Sequence, residues 1–199
     1  MRMPVLKIVA VGDSGVGKTC LYISYTTRSF PTAYIPTVFD GYVAEHEVNG
    51  VTMPVGLWDT IGSDDYGITR IRPLNYIQAD VFLLCFSLVD PNSFDNVLKK
   101  WAPELQHHAP PDAQIVLVGT KVDLRNEIQA SENSIGHSSP RTWIDYQEGL
   151  FMRQNINAAA YCECSALTLE GVDNVFQQAM KCAVQPSRTK KKKRSCIVV

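Results

Sequence analysis

Val5-Leu6-Lys7-Ile8-Val9-Ala10-Val11 runs directly into Gly12-Asp13-Ser14-Gly15-Val16-Gly17-Lys18-Thr19, and this junction decides the fold. The first run is short, apolar and β-branched, so it reads as a buried strand. The second matches G-x-x-x-x-G-K-[ST], a loop that cradles phosphate. Lys18 to Thr27 then opens a helix. Glycines let such a loop curl and turn its N–H groups inward. The helix start adds free N–H groups and a favourable dipole. In this setting Lys18 can reach the β- and γ-phosphates, and the Thr19 hydroxyl can bind Mg²⁺.

Working outward, Tyr42 to Val48 and Val51 to Trp58 form two strand-like runs joined by Asn49-Gly50, a strong hairpin signal. Pro54 is tolerated near the start of the second run. Val81 to Ser87 is continuously apolar, as a strand covered on both faces should be, and Ile115 to Gly119 and Ala159 to Cys164 read alike. Phe94, Val97, Leu98, Trp101 and Leu105 mark a helical stripe, which Pro103 should kink or tighten near its end. Val172, Val175, Phe176, Ala179, Met180 and Ala183 mark a second stripe. Trp143, Tyr146, Leu150 and Phe151 mark a third. The alternation predicts an α/β fold: a mostly parallel sheet with one antiparallel edge hairpin and helices on both faces. Ligands of such sheets lie at the carboxyl ends of the strands.

With 199 residues, one domain with a real core is expected, spanning 1–187. Residues 125–142, rich in Asn and Ser and containing Pro140, read as an insert-like loop. The N-terminus has no signal-peptide pattern, and no apolar stretch approaches membrane-spanning length. The six cysteines form no zinc-site spacing, since Cys162-x-Cys164 has no second pair. Five of them read as small core or surface residues of a reducing cytosol.

The net charge of −1 conceals an asymmetry. Residues 188–199 carry six basic side chains and no acidic one, while the remainder carries 13 basic against 20 acidic. A basic tail on an acidic body points to a polyanion. Cys196-Ile197-Val198-Val199 fits C-a-a-X, so Cys196 is a prenylation candidate, geranylgeranyl being favoured by the apolar last residue. One lipid plus a basic patch is the combination that holds a protein on an anionic membrane. Nucleic acid or a nuclear import receptor is the rival partner for such a run; the membrane is the expectation, with no nucleic acid bound.

Two further constellations carry chemistry. Asp59 follows the apolar run ending at Leu57-Trp58, where a second Mg²⁺-associated carboxylate belongs. Thr120-Lys121-Val122-Asp123 follows the strand at 115–119. The Asp123 carboxylate accepts only, and guanine offers an N–H and an amino group side by side, whereas adenine would leave the carboxylate unpaired. The Lys121 stem can cover the base, and Ser165-Ala166-Leu167 can supply a backbone N–H to the guanine carbonyl.

Together these stretches resemble the Ras-like small GTPases, and most closely their Rho/Rac branch. The resemblance rests on Gly12 to Thr19, Tyr34-Ile35-Pro36-Thr37-Val38-Phe39-Asp40, Trp58-Asp59-Thr60, Thr120 to Asp123, Glu163-Cys164-Ser165-Ala166-Leu167 and the C-terminal Cys196 box. It implies a monomeric GTP/GDP switch with Mg²⁺. In it Thr37 binds the metal by its hydroxyl and the γ-phosphate by its N–H. Gly62 donates an N–H to the γ-phosphate, Phe30 lies against the guanine edge, and Cys20, Tyr34 and Pro36 complete the nucleotide contacts. Loss of the γ-phosphate would release both switch loops. Implied partners are exchange factors, GTPase-activating proteins, a dissociation inhibitor and actin-directed effectors such as formins or kinases. Implied locations are the cytosol, the cytoplasmic face of the plasma membrane and the cytoskeleton.

Four departures stand out. Ser63 occupies the place of the family's water-orienting glutamine, and Ile61 replaces a small alanine. Tyr66 to Arg72 is two residues longer, with Gly67-Ile68-Thr69 new. The segment 125–142 lacks the charged composition of the family's helical insert. Slow hydrolysis is therefore expected, with Lys18, Thr37, Gly62 and Ser63 the catalytic set. The rivals are a module that signals by GTP occupancy with almost no hydrolysis, and a P-loop kinase or ATPase, which Asp123 disfavours.

Overall fold

The computed structural model describes residues 5–32, 41–48, 50–63, 66–135 and 141–184. Strands β1 (Leu6–Val11), β2 (Tyr42–Val48), β3 (Val51–Trp58), β4 (Val81–Ser87), β5 (Gln114–Thr120) and β6 (Ala160–Glu163) form one sheet in the order β2-β3-β1-β4-β5-β6. Every neighbouring pair is parallel except the β2–β3 hairpin. This is the predicted architecture. β4 is buried along its whole length, as continuous apolarity demands.

Helices cover both faces. On one, α1 (Lys18–Thr27) and α7 (Val172–Val184) pack Leu21, Tyr22, Val175, Phe176 and Ala179 against Ile8, Leu83 and Val118. On the other, Val97, Trp101, Leu105 and Met152 pack against Val9, Phe82, Leu84 and Leu117. Val97 and Trp101 belong to a π-helical turn, Val97–Trp101, that joins α3 (Pro91–Asn96) to α4 (Ala102–His108); α4 carries Leu105, and α6 (Tyr146–Asn155) carries Met152. The short α2 (Tyr66–Ile71) leads into a 3₁₀ turn at Arg72–Tyr76.

Three sequence expectations need correction. Pro103 does not tighten its helix. The Ala102 N–H bonds back to Val97, five residues earlier, so the turn before the proline widens. Within this widened turn Leu98 is 48% exposed while Trp101 stays fully buried. The insert-like loop at 125–142 is in large part helical: α5 spans Val122–Ile135, and 136–140 lie outside the described residues. Finally, α6 buries Gly149 and Met152, whereas Phe151 is 65% exposed. A Cβ on Gly149 would stand 2.1 Å from the Tyr161 ring, so the close approach of that ring requires a glycine. Asp145 begins α6 with a full capping box to Glu148.

Candidate functional site

β1 delivers the chain to Gly12, whose φ of 142° and closeness to Cys85 leave no room for a side chain: a Cβ would lie 2.2 Å from the Cys85 carbonyl. Gly15 and Gly17 also take positive φ, and Gly17 starts α1 with no capping side chain. No acidic residue sits in the first turn of α1. The helix start is therefore left open to an anion. Lys18 is buried and curls back over the loop, donating to the carbonyls of Gly12 (2.9 Å) and Asp13 (2.7 Å). Burial pushes its ammonium below the usual lysine range, opposed by the nearby Asp59 and Asp13 carboxylates.

The end of β3 brings the second component. The Thr19 hydroxyl donates to Asp59 Oδ2 at 2.5 Å, and the Thr60 N–H holds Oδ1 at 2.9 Å. Burial pushes the Asp59 carboxyl up, with the Thr19 bond and Lys18 working against that. Two hard oxygen donors on neighbouring elements fit Mg²⁺. Among the described residues no three His, Cys, Asp or Glu side chains gather as an all-protein cage, so a metal here would draw its other ligands from phosphate and water, which is how Mg²⁺ is usually held. Thr37, Tyr34 and Pro36 lie outside the described residues.

Gly62 rests directly on the phosphate loop. A Cβ there would be 2.4 Å from Ser14 N and 2.5 Å from Gly12 O. The carbonyls of Ile61 and Ser63, on either side, both accept from the buried Arg72 guanidinium; the bond to Ile61 is 3.0 Å. Arg72 also pairs with Glu104 at 2.8 Å.

Beside the loop lies a cavity of about 540 Å³. It gathers most of the residues predicted to contact nucleotide: Ser14, Gly15, Gly17, Lys18, Thr19, Cys20, Phe30, Thr120, Lys121, Asp123, Ala166 and Leu167. Leu21, Ile23, Pro31, Thr32, Leu124 and Cys164 also line it and were not foreseen, although most adjoin predicted positions. Gly12, Asp13, Val16, Asp59, Gly62, Ser63 and Ser165 stand outside that lining. Lys121, in the left-handed region at φ 62°, crosses to the Gly15 carbonyl (2.9 Å). The buried Thr120 hydroxyl lies 2.6 Å from Val16 O, so it ties β5 to the phosphate loop.

The predicted backbone donor at 165–167 narrows. Ser165 is buried, its N–H is taken by the Glu170 carbonyl (2.9 Å), and its hydroxyl accepts from Thr168 N (3.1 Å). A donor to a base carbonyl must therefore come from Ala166 or Leu167. The base-side segments are joined by Arg125 of α5, which grips both oxygens of Glu163 at 2.7 Å each, while Tyr161 donates to Glu163 Oε1 at 2.6 Å.

Sequence reasoning missed Arg72, Asn96 and Trp101. Trp101 and Asn96 both donate at 2.7 Å to the carboxylate of Asp13 inside the phosphate loop. One signal was present: an indole in a core stripe carries an N–H that needs a partner when buried. A model of the Ras family matches residues 7–185. It covers β1 from Lys7 onward, the other five strands, both phosphate- and metal-side segments and the base-side segments just described, and the chain belongs to the Ras family.

Proposed function

We propose that this small GTPase is a Rho/Rac-type GTP/GDP switch whose intrinsic hydrolysis is slow. The observation that carries the reading is the convergence of three segments: the 12–19 cradle, Asp59 bonded to Thr19, and Gly62 seated on the loop with Ser63 next to it. Lys18 and the Gly62 N–H supply charge stabilisation where the transferred phosphoryl group develops it. Thr19 and Asp59 would hold Mg²⁺, whose chemistry there would be to neutralise phosphate charge. Ser63 is the weak member. Its hydroxyl is too short to accept from a water and reach the phosphate together, as an amide side chain can. Losing positional control of a reactant commonly costs on the order of 10²-fold.

The Rho/Rac assignment is supported by Thr37-Val38-Phe39-Asp40, by Thr120-Lys121-Val122-Asp123 and by a helix, α5, at the place of that branch's helical insert. The basic tail with Cys196 supports a prenylated form on the cytoplasmic face of the plasma membrane, with actin-directed effectors, exchange and activating proteins and a dissociation inhibitor as partners. A second reading, a GTP-occupancy module, is favoured by Ser63 alone.

The test has two steps. Nucleotide released from the purified protein should be GDP or GTP. Single-turnover hydrolysis by Ser63→Gln should then exceed wild type by about tenfold or more. Equal rates, with normal acceleration by an activating protein, would refute the slow-hydrolysis reading. Undetectable hydrolysis in wild type and variant alike would favour the occupancy module.

A further inference from the structure

A carboxylate inside a phosphate cradle repels its own ligand, so Asp13 calls for an explanation. The structure turns its side chain away from the loop and into the helix that follows β4. There Oδ1 accepts from Trp101 Nε1 (2.7 Å), Oδ2 accepts from Asn96 Nδ2 (2.7 Å), and Lys100 Nζ stands 3.8 Å off. Asn96 and Trp101 are five residues apart, a spacing that an ordinary α-helix splays around its axis. The π-helical turn Val97–Trp101 lines them up, and such turns recur at functional sites.

The connection continues on the indole. The Arg72 guanidinium carbon lies 4.7 Å from the centre of the Trp101 ring. Arg72 is 2% exposed. Its donors go to Ile61 O, Ser63 O and Glu104, and Glu104 also takes the Tyr76 hydroxyl at 2.5 Å. An unbroken path of contacts thus runs from Asp13, through Trp101 and Arg72, to the backbone on both sides of Gly62.

We propose that Arg72 and Trp101 are positioning residues that register the 61–63 backbone on the phosphate loop through Asp13, and so set the hydrolysis step without touching the nucleotide. The proposal rests on reading this site as a GTP site. Gly62 is held from below by its contact with the loop and from both sides by its neighbours' carbonyls. A shift of Arg72 or of the indole would therefore be passed to the backbone on both sides of Gly62.

The test uses the full chain, with Arg72→Met and Trp101→Phe. The phenylalanine variant keeps a ring under Arg72 and loses only the N–H to Asp13, so it carries the test if Arg72→Met fails to fold. Single-turnover GTP hydrolysis should fall about tenfold or more in each variant, while GDP dissociation stays within about threefold, because Lys18, Thr19 and Asp123 are untouched. In protein labelled with 5-fluorotryptophan, the ¹⁹F resonance of Trp101 should shift between the GDP form and a non-hydrolysable GTP analogue in wild type, and this shift should vanish in Arg72→Met. The proposal is overturned if hydrolysis is unchanged, if hydrolysis and dissociation change by the same factor, or if the Trp101 shift survives without Arg72. Failure of the GTP-site reading is distinguishable: wild type itself would then retain no guanine nucleotide and show no nucleotide-dependent ¹⁹F shift.

Discussion

Arg125→Met isolates the tie between the two base-side segments. Arg125 stands in α5 directly beyond Asp123, and Glu163 ends β6 directly before Cys164-Ser165-Ala166. Their side chains are 11% and 12% exposed, so the pair is effectively interior. Removing one partner of a buried pair costs about 3–5 kcal/mol, because the remaining charge keeps its desolvation penalty. Tyr161 still donates to Glu163, which favours the low end, about 3 kcal/mol. For a chain of this size each kcal/mol lowers Tm by about 2–4 °C, so the expected loss is roughly 6–12 °C. The assay is thermal unfolding followed by circular dichroism at fixed free GDP and Mg²⁺. Fixing the ligand matters, because occupancy at 100 times Kd alone adds about 2.7 kcal/mol. GDP dissociation should also quicken several-fold, since the segments carrying Asp123 and Ala166 lose their common anchor. The double variant Arg125→Met/Glu163→Leu removes the stranded charge and should recover most of the lost stability. A Tm change under about 2 °C in the single variant, or a double variant as damaged as the sum of its singles, would refute the reasoning.

Three further outcomes are expected, two from the site's geometry and chemistry and one from the sequence of the tail, which lies outside the described residues. Gly62→Ala should bind GDP nearly as wild type yet fail to hydrolyse GTP, because its Cβ would meet Ser14 N at 2.4 Å and drive 61–63 off the loop; a single-turnover assay beside a GDP binding curve checks both halves. Asp123→Asn should weaken GDP and GTP binding and relax selection against xanthine nucleotides, whose extra carbonyl accepts an amide donor; a competition series over the two bases reads this directly. Cys196→Ser should lose membrane retention in native cells, since six basic residues at about 1 kcal/mol each, less with screening, do not replace a lipid; full retention by fractionation would argue against prenylation.

Where a local pattern determines an element, the sequence read it correctly. The strand before Gly12, the Asn49-Gly50 hairpin and the fully apolar β4 are such cases. The course of the loop was equally legible, because its glycines and Lys18 act through backbone and short-range contacts. Composition misled at α5: its Asn and Ser read as loop, while its anchors, Arg125 to Glu163 and Trp143 to Glu132 (2.9 Å), come from chain outside the helix. Leu98 was misplaced because a 3.6-residue period assumes no widened turn. Phe151 was misplaced because the face of α6 is chosen by Tyr161, which needs Gly149 beneath it. The roles of Asp13, Arg72 and Trp101 were illegible for the same reason, since each is defined by partners dozens of residues away.

The sheet order has a consequence for how the chain is made. β1 is synthesised first, yet Leu6 pairs with Val55 and Ile8 with Val81. One face of this central strand, partly covered by Leu21 and Tyr22 of α1, is completed only when Val175, Phe176 and Ala179 of α7 arrive. Such remote pairings slow folding and leave apolar surface open meanwhile. The nascent protein therefore carries a complete phosphate-loop sequence long before it has a pocket. A ribosome-bound chain ending before Cys164 should hold no nucleotide and should engage chaperones, and nucleotide capture should appear only once residues 164–184 have emerged.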